Sequence, residues 1–167
     1  TVNEVLLAKY FIENAKTKQE KISHISNFLT TFVGTVFTQT KFTQFELFVH
    51  DRVHKNLPLT YKNMNEFYVN ISNKYYGDSV EHAKSDVGWS MIPHFYSDFY
   101  VFKYVTGFIS ACAIAEKLLS DKNYVKKYIK FLSGGCSKKP CELLTDAGVD
   151  ILDKKTFDRI EDRKSVV

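Results

Sequence analysis

The run Lys18–Lys55, KQEKISHISNFLTTFVGTVFTQTKFTQFELFVHDRVHK, contains no proline and a single glycine, Gly34. Within it Ile22, Ile25, Phe28, Leu29, Phe32, Val33, Val36, Phe37, Phe42, Phe45, Phe48 and Val49 recur at steps of three and four. That spacing lays apolar side chains in one stripe along a helix, so the run predicts one very long helix. Its many threonines lower intrinsic propensity, and packing must therefore hold it. Upstream, Val2, Val5, Leu6, Ala8, Tyr10 and Ile12 predict a first helix over residues 2–15, closed by the polar Lys16-Thr17-Lys18-Gln19. Downstream, Pro58 ends the long element. Thr60 then has the chemistry of an N-cap for a helix to about Tyr76, which Gly77-Asp78 stops.

Residues 77–97 form the one extended irregular segment, with Gly77, Gly88, Pro93 and the only tryptophan, Trp89. Loops of this length inside a domain tend to carry function. Asp98 suits an N-cap for a helix from Phe99 to about Leu119, whose only charges before its last turn are Lys103 and Glu116. A helix apolar nearly all round is a buried, central one. Gly107, Ser110, Ala111, Ala113 and Ala115 leave room for close neighbours, and Thr106 and Ser110 can bond their hydroxyls to backbone carbonyls. A shorter helix over 123–132 ends at Gly134-Gly135, and another opens at Pro140 and closes at Gly148. The charged tail from Thr156 is expected to fray. With no internal repeat and no convincing strand, the fold class is all-α, a helical bundle with one very long helix and a buried central helix.

The 167 residues are 44% apolar and 25% charged, as in ordinary globular domains, which excludes collagen, mucin and simple disorder. Seven glycines and three prolines are about half the usual share and agree with few turns. The net charge of +4 is spread over Lys16/Lys18/Lys21, Lys126/Lys127/Lys130 and Lys138/Lys139 among acids, so no nucleic-acid surface is expected. Three cysteines, Cys112, Cys136 and Cys141, are too few for a disulfide scaffold and suit a reducing, cytoplasmic address. The longest uncharged apolar run, Val105–Ala115, falls short of the roughly 18–20 residues of a membrane span, and no signal peptide is recognisable. The chain opens Thr1-Val2-Asn3-Glu4 without methionine and directly in helix-like sequence, which suggests that sequence is missing upstream.

Two constellations could carry chemistry. His50-Asp51-Arg52-Val53-His54 places two imidazoles at i and i+4 on one helix face, the spacing of an H-E-x-x-H zinc helix with Asp in place of Glu. Asp51 is one methylene short of the usual general base, and the simpler reading is two histidines on a polar face. Glu46 or Glu66 could be proposed as a third ligand. The second constellation is Trp89-Ser90-Met91-Ile92-Pro93-His94-Phe95-Tyr96-Ser97-Asp98-Phe99-Tyr100-Val101-Phe102-Lys103-Tyr104. Pro93 holds Ile92 extended and presents His94 from a rigid loop, and Tyr100 and Tyr104 lie four apart on one face. Neutral phenols and an imidazole are hydrogen-bond donors, and together they could stabilise an oxyanion or simply pack a helix start. Gly134-Gly135-Cys136-Ser137-Lys138 has phosphate-loop letters without the P-loop spacing and reads as a helix end.

The wording Ile-Pro-His-Phe-Tyr and Phe-Tyr-Val-Phe-Lys-Tyr-Val-Thr-Gly between Trp89 and Gly107 resembles the C-terminal part of the oligoendopeptidase F family, relatives of thimet oligopeptidase among the zinc metallopeptidases. The likeness continues through Phe131-Leu132-Ser133-Gly134-Gly135, Pro140-Cys141-Glu142-Leu143-Leu144 and Ala147-Gly148-Val149-Asp150. Upstream it takes in Gln44-Phe45-Glu46, His50 and Thr1-Val2-Asn3-Glu4, so it spans nearly the whole chain.

The resemblance implies a larger helical peptidase fold whose residues 1–167 are the C-terminal helical part. The family binds zinc through H-E-x-x-H and a downstream Glu, and that Glu would fall just before Thr1. Zinc is thus implied for the complete enzyme and none is expected in this chain. His50 and His54 would lie well past the zinc helix. Glu4 would be a carboxylate that steadies the metal-binding imidazoles from behind. His94 matches the family's His in this loop and Tyr100 and Tyr104 match the tyrosines after it, so these three are the expected donors to the tetrahedral oxyanion, with Tyr96 a further possibility and Phe102 standing where many relatives carry Tyr. The implied activity is hydrolysis of short oligopeptides by zinc-activated water, with the isolated chain inactive. The alternative is a noncatalytic helical module that binds a protein or peptide partner through residues 89–104. Surface formerly covered, along the first helix and around His94, is expected to be apolar and could drive self-association.

Overall fold

A computed structural model describes residues 1–77 and 87–161, with the side chains of 159–161 left aside. The described residues form helices and turns and no strand: α1 Val2–Asn14, α2 Lys18–Phe32, α3 Thr38–His54, α4 Tyr61–Tyr76, α5 Phe102–Ser120, α6 Tyr124–Ser133, α7 Pro140–Asp146 and α8 Lys154–Glu161. They divide into two compact units, residues 32–105 and residues 1–31 with 106–167.

The long apolar run is helical almost throughout, yet it is not one α-helix. Val33–Phe37 is a π-helical turn between α2 and α3. Gly34 sits in it without a Cβ to hold the backbone, and Thr38 Oγ1 donates back to the Val33 carbonyl at 3.3 Å. The run ends at His54, four residues before Pro58, with Asn56 at φ 54° turning the chain. Thr60 caps α4 as its chemistry requires, in a capping box with Asn63.

In the unit of residues 32–105, Phe42, Phe45, Tyr68, Ile71 and Val101 form the buried core, with Val49, Met64, Phe67, Trp89, Ile92 and Phe95 packed on it. Burying each Phe contributes about 1.5–3 kcal/mol. The polar groups between α3 and α4 are matched: Gln44 donates to Tyr75 Oη at 2.9 Å, Thr38 shares a 2.7 Å bond with Tyr76, and buried Lys41 donates to Tyr68 Oη and Ser72 Oγ. The Lys41 ammonium also lies 4.5 Å from the Tyr68 ring centre.

In the other unit the buried stretch Phe108–Ala115 of α5 is the core, joined by Val5, Ile12, Tyr124, Leu144, Ala147 and Val149. This is the expected central helix, and Ser110 Oγ donates to the Thr106 carbonyl at 2.7 Å. No described helix is long and apolar enough to cross a membrane.

Two expectations are corrected. The central helix starts at Phe102 and not at Phe99, because Phe99 takes φ 50°, outside the helical region, and its N–H is bonded to a glutamate of α3. The tail is also ordered further than expected: α8 forms, anchored by Thr156, which is buried and donates to the Asp150 carbonyl at 2.6 Å.

Candidate functional site

The aromatic segment folds as two 3-10 turns, Gly88–Met91 and Pro93–Tyr96, followed by the entry to α5. Pro93 occupies the first position of the second turn, where its missing N–H is not needed, and Ile92 before it is extended. Trp89 is fixed at the start: its indole N–H donates to Asn65 Oδ1 at 2.7 Å and its ring stacks on Phe45 at 5.7 Å. Val101, fully buried, fixes the end.

Between these anchors the structure brings together three of the residues singled out from sequence. His94 Nε2 lies 3.2 Å from Tyr104 Oη. The His94 ring stacks on Tyr100 at 5.5 Å, and the Tyr100 and Tyr104 rings meet edge to face at 5.6 Å. Tyr100 precedes α5 and does not stand on its first turn, so the two phenols are neighbours through a turn rather than through helical spacing. Both tyrosines are 38% exposed, so their edges face solvent. A hydrogen bond with the Tyr100 phenol, helped by partial desolvation and by the nearby second phenol, holds Tyr104 above the usual phenol range.

The free donor depends on the imidazole tautomer. With the proton on Nε2, His94 donates to Tyr104, and the phenol O–H is shared between the Tyr100 oxygen and any acceptor that replaces it. With it on Nδ1, Nε2 accepts from the phenol and Nδ1–H is the free donor. Tyr96, by contrast, is 89% exposed. Glu4 belongs to the other unit, exposed on the first turn of α1.

One residue that sequence reading treated only as a possible metal ligand has a different task. Glu46 is 4% exposed, and its Oε1 accepts the Phe99 N–H at 2.6 Å. Phe99 has φ 50°, a left-handed conformation costly for an aromatic residue, and that bond together with its ring against His50 at 4.6 Å supports it. The turn so fixed sets Tyr100 against His94. The signal was available: Glu46 is an acid inside the apolar stripe of Phe42, Phe45 and Val49.

Among the described residues no three or more His, Cys, Asp or Glu side chains converge to hold a metal ion. His50 and His54 therefore gain no third ligand there, with Glu46 engaged by Phe99, and the donors described do not by themselves fit a metal.

The comparisons agree with one another. Residues 1–162 match Peptidase family M3. The chain is 38% identical over 154 residues to Oligopeptidase PepF of Bacillus subtilis (strain 168), covering 90% of this chain and 23% of that protein. It is 37% identical over 163 residues to an oligoendopeptidase F homolog of Borreliella burgdorferi, covering 94% and 27%. It also superposes on the crystal structure of oligoendopeptidase-F from Enterococcus faecium with a TM-score of 0.89 and 35% identity, over 97% of this chain and 32% of the other. A putative peptidase from Chlamydophila abortus gives 0.85 and 34%, over 97% and 28%. The chain thus spans about a quarter of the length of the curated relatives it matches.

Proposed function

The chain belongs to peptidase family M3, and from that premise we propose that it is the donor-bearing helical part of a cytoplasmic zinc oligopeptidase that hydrolyses short peptides. The metal chemistry rests, in this reading, on residues outside these 167, where a bound zinc supplies Lewis acidity and an activated water. What this chain contributes is polarisation of the scissile carbonyl. As that carbonyl becomes tetrahedral its oxygen gains negative charge, and donors already aimed at it stabilise the charge without reorganising. His94 and Tyr104 act as a coupled pair, one holding the other so that a single proton faces the substrate. Tyr100 orients Tyr104 and keeps it neutral, and Glu46 positions the turn that carries both.

The observation that carries this reading is the contact of His94 with Tyr104 and Tyr100 in a chain whose relatives are peptidases. The test uses the peptidase in which these residues are joined to a metal-binding segment. Tyr104→Phe should lower kcat about a hundredfold, as removal of one oxyanion donor does, and leave KM nearly unchanged. Unchanged turnover would remove Tyr104 from the site. The 167 residues alone should leave a quenched reporter peptide intact; cleavage lost on His50→Ala would overturn the assignment of the metal to other residues.

A further inference from the structure

Glu46 has an oxygen that nothing in its positioning role uses. While Oε1 holds the Phe99 N–H, Oε2 is buried with no hydrogen-bond partner among the described residues. Buried polar atoms are rarely left in this condition, and one that is asks for a missing donor. Glu46 is among the residues lining a groove of about 260 Å³, with Phe45, Val49, Trp89, Ile92 and Phe95, and Oε2 lies just beneath that lining.

We propose that this groove is a binding site for the side chain of a basic peptide residue, with the aliphatic stem along the apolar wall and the ammonium or guanidinium on Glu46 Oε2. Three observations select that chemistry. A carboxylate only accepts, and in a desolvated setting a cationic donor bonds it more strongly than a neutral one. Aromatic walls favour cations over neutral groups of the same shape. The volume is below the roughly 300–1,000 Å³ of pockets for drug-sized ligands and suits one long side chain. The Trp89 wall is already fixed, by Asn65 and by stacking on Phe45, so a cation reaching Oε2 displaces only the thin lining over it. Its further wall, Phe95 and Tyr96, belongs to the turn that carries His94. Assigning the cation to a peptide rests on the oligopeptidase reading; the groove's preference for a cation does not.

Trp89 is the only tryptophan, so its indole N–H signal in an ¹⁵N-labelled chain reports occupancy directly. N-acetyl-lysine amide and N-acetyl-arginine amide should shift that signal saturably and bind about tenfold tighter than N-acetyl-norleucine amide. Glu46→Gln should erase the preference. Val49→Phe, which fills the groove and leaves the carboxylate in place, should abolish the shift for all three. Equal affinities, a preference that survives Glu46→Gln, or binding that survives Val49→Phe would each overturn the proposal. Cadaverine binding tighter than the lysine amide would assign the groove to a free amine and overturn the peptide source. Because the readout is binding, these outcomes stand apart from the effect of Tyr104→Phe on turnover, which tests the peptidase reading alone.

Discussion

At the scale of the residue, the site depends on strain at Phe99 and on the acceptor that relieves it. Glu46→Ala would leave the Phe99 N–H without its bond and its φ of 50° without support, so it should destabilise the chain by about 1–3 kcal/mol in urea denaturation. Glu46→Gln, which keeps one acceptor oxygen, should cost less. Tyr104 gives a pH prediction whose sign is fixed. Its raised pKa means that folding favours the neutral phenol, so the contribution is present below the unfolded phenol's range and is lost as pH rises through the folded one. Tyr100→Phe removes the first cause of the shift and should lower the Tyr104 titration midpoint in an NMR titration; an unmoved midpoint would count against the coupling. The cysteines separate in the same way. Burial pushes the Cys112 thiol up to about 12, whereas Cys136 and Cys141 are exposed. A thiol reagent should therefore modify two cysteines in the folded chain and the third only after unfolding.

At the scale of the element, most of the fold was legible because apolar spacing and breakers act locally. The stripe from Ile22 to Val49, the Thr60 cap and the apolar Phe108–Ala115 stretch each read directly as helix, and each is helical, the stripe as α2 and α3 joined by the π turn. The failures share a cause: a partner distant in sequence. Asp98 has good cap chemistry, yet Phe99 after it takes φ 50°, outside the helical region, with its N–H held by Glu46, fifty-three positions away. The π turn at Val33–Phe37 adds one residue to the register and cannot be heard in a stripe of threes and fours. The contact of His94 with two tyrosines was legible as residue types, and only the turn supplied its geometry. Gly34 tests the element directly. It is exposed, has no positive φ, and a Cβ there would meet nothing within 4 Å. Gly34→Ala should then raise stability by about 0.5–1 kcal/mol, seen as a higher Tm. A fall in Tm would mean that the π turn needs glycine's freedom. Gly134 is the contrast, because a Cβ there would come within 2.9 Å of Leu143 Cδ2, so Gly134→Ala should lower Tm unless that leucine turns aside.

At the scale of the whole chain, the question is what the apolar surface is for. Leu7, Tyr10 and Phe11 of α1 are 52%, 58% and 46% exposed, and Met91 and Tyr96 beside His94 are 80% and 89% exposed. Single exposed apolar residues are ordinary, but several on one short helix, and again around one loop, make a surface that association can bury. Such a face lowers its free energy by burial against anything complementary, including a second copy of itself. Sedimentation velocity over a wide concentration range should therefore show reversible self-association of these 167 residues. Two substitutions localise it: Leu7→Lys with Phe11→Lys on α1 should weaken association strongly, because a charge at each contact must be desolvated, while Leu119→Lys on α5, also 52% exposed, serves as the control. A chain that stays monomeric at every concentration would show that these side chains, though exposed, do not form a face that another surface covers.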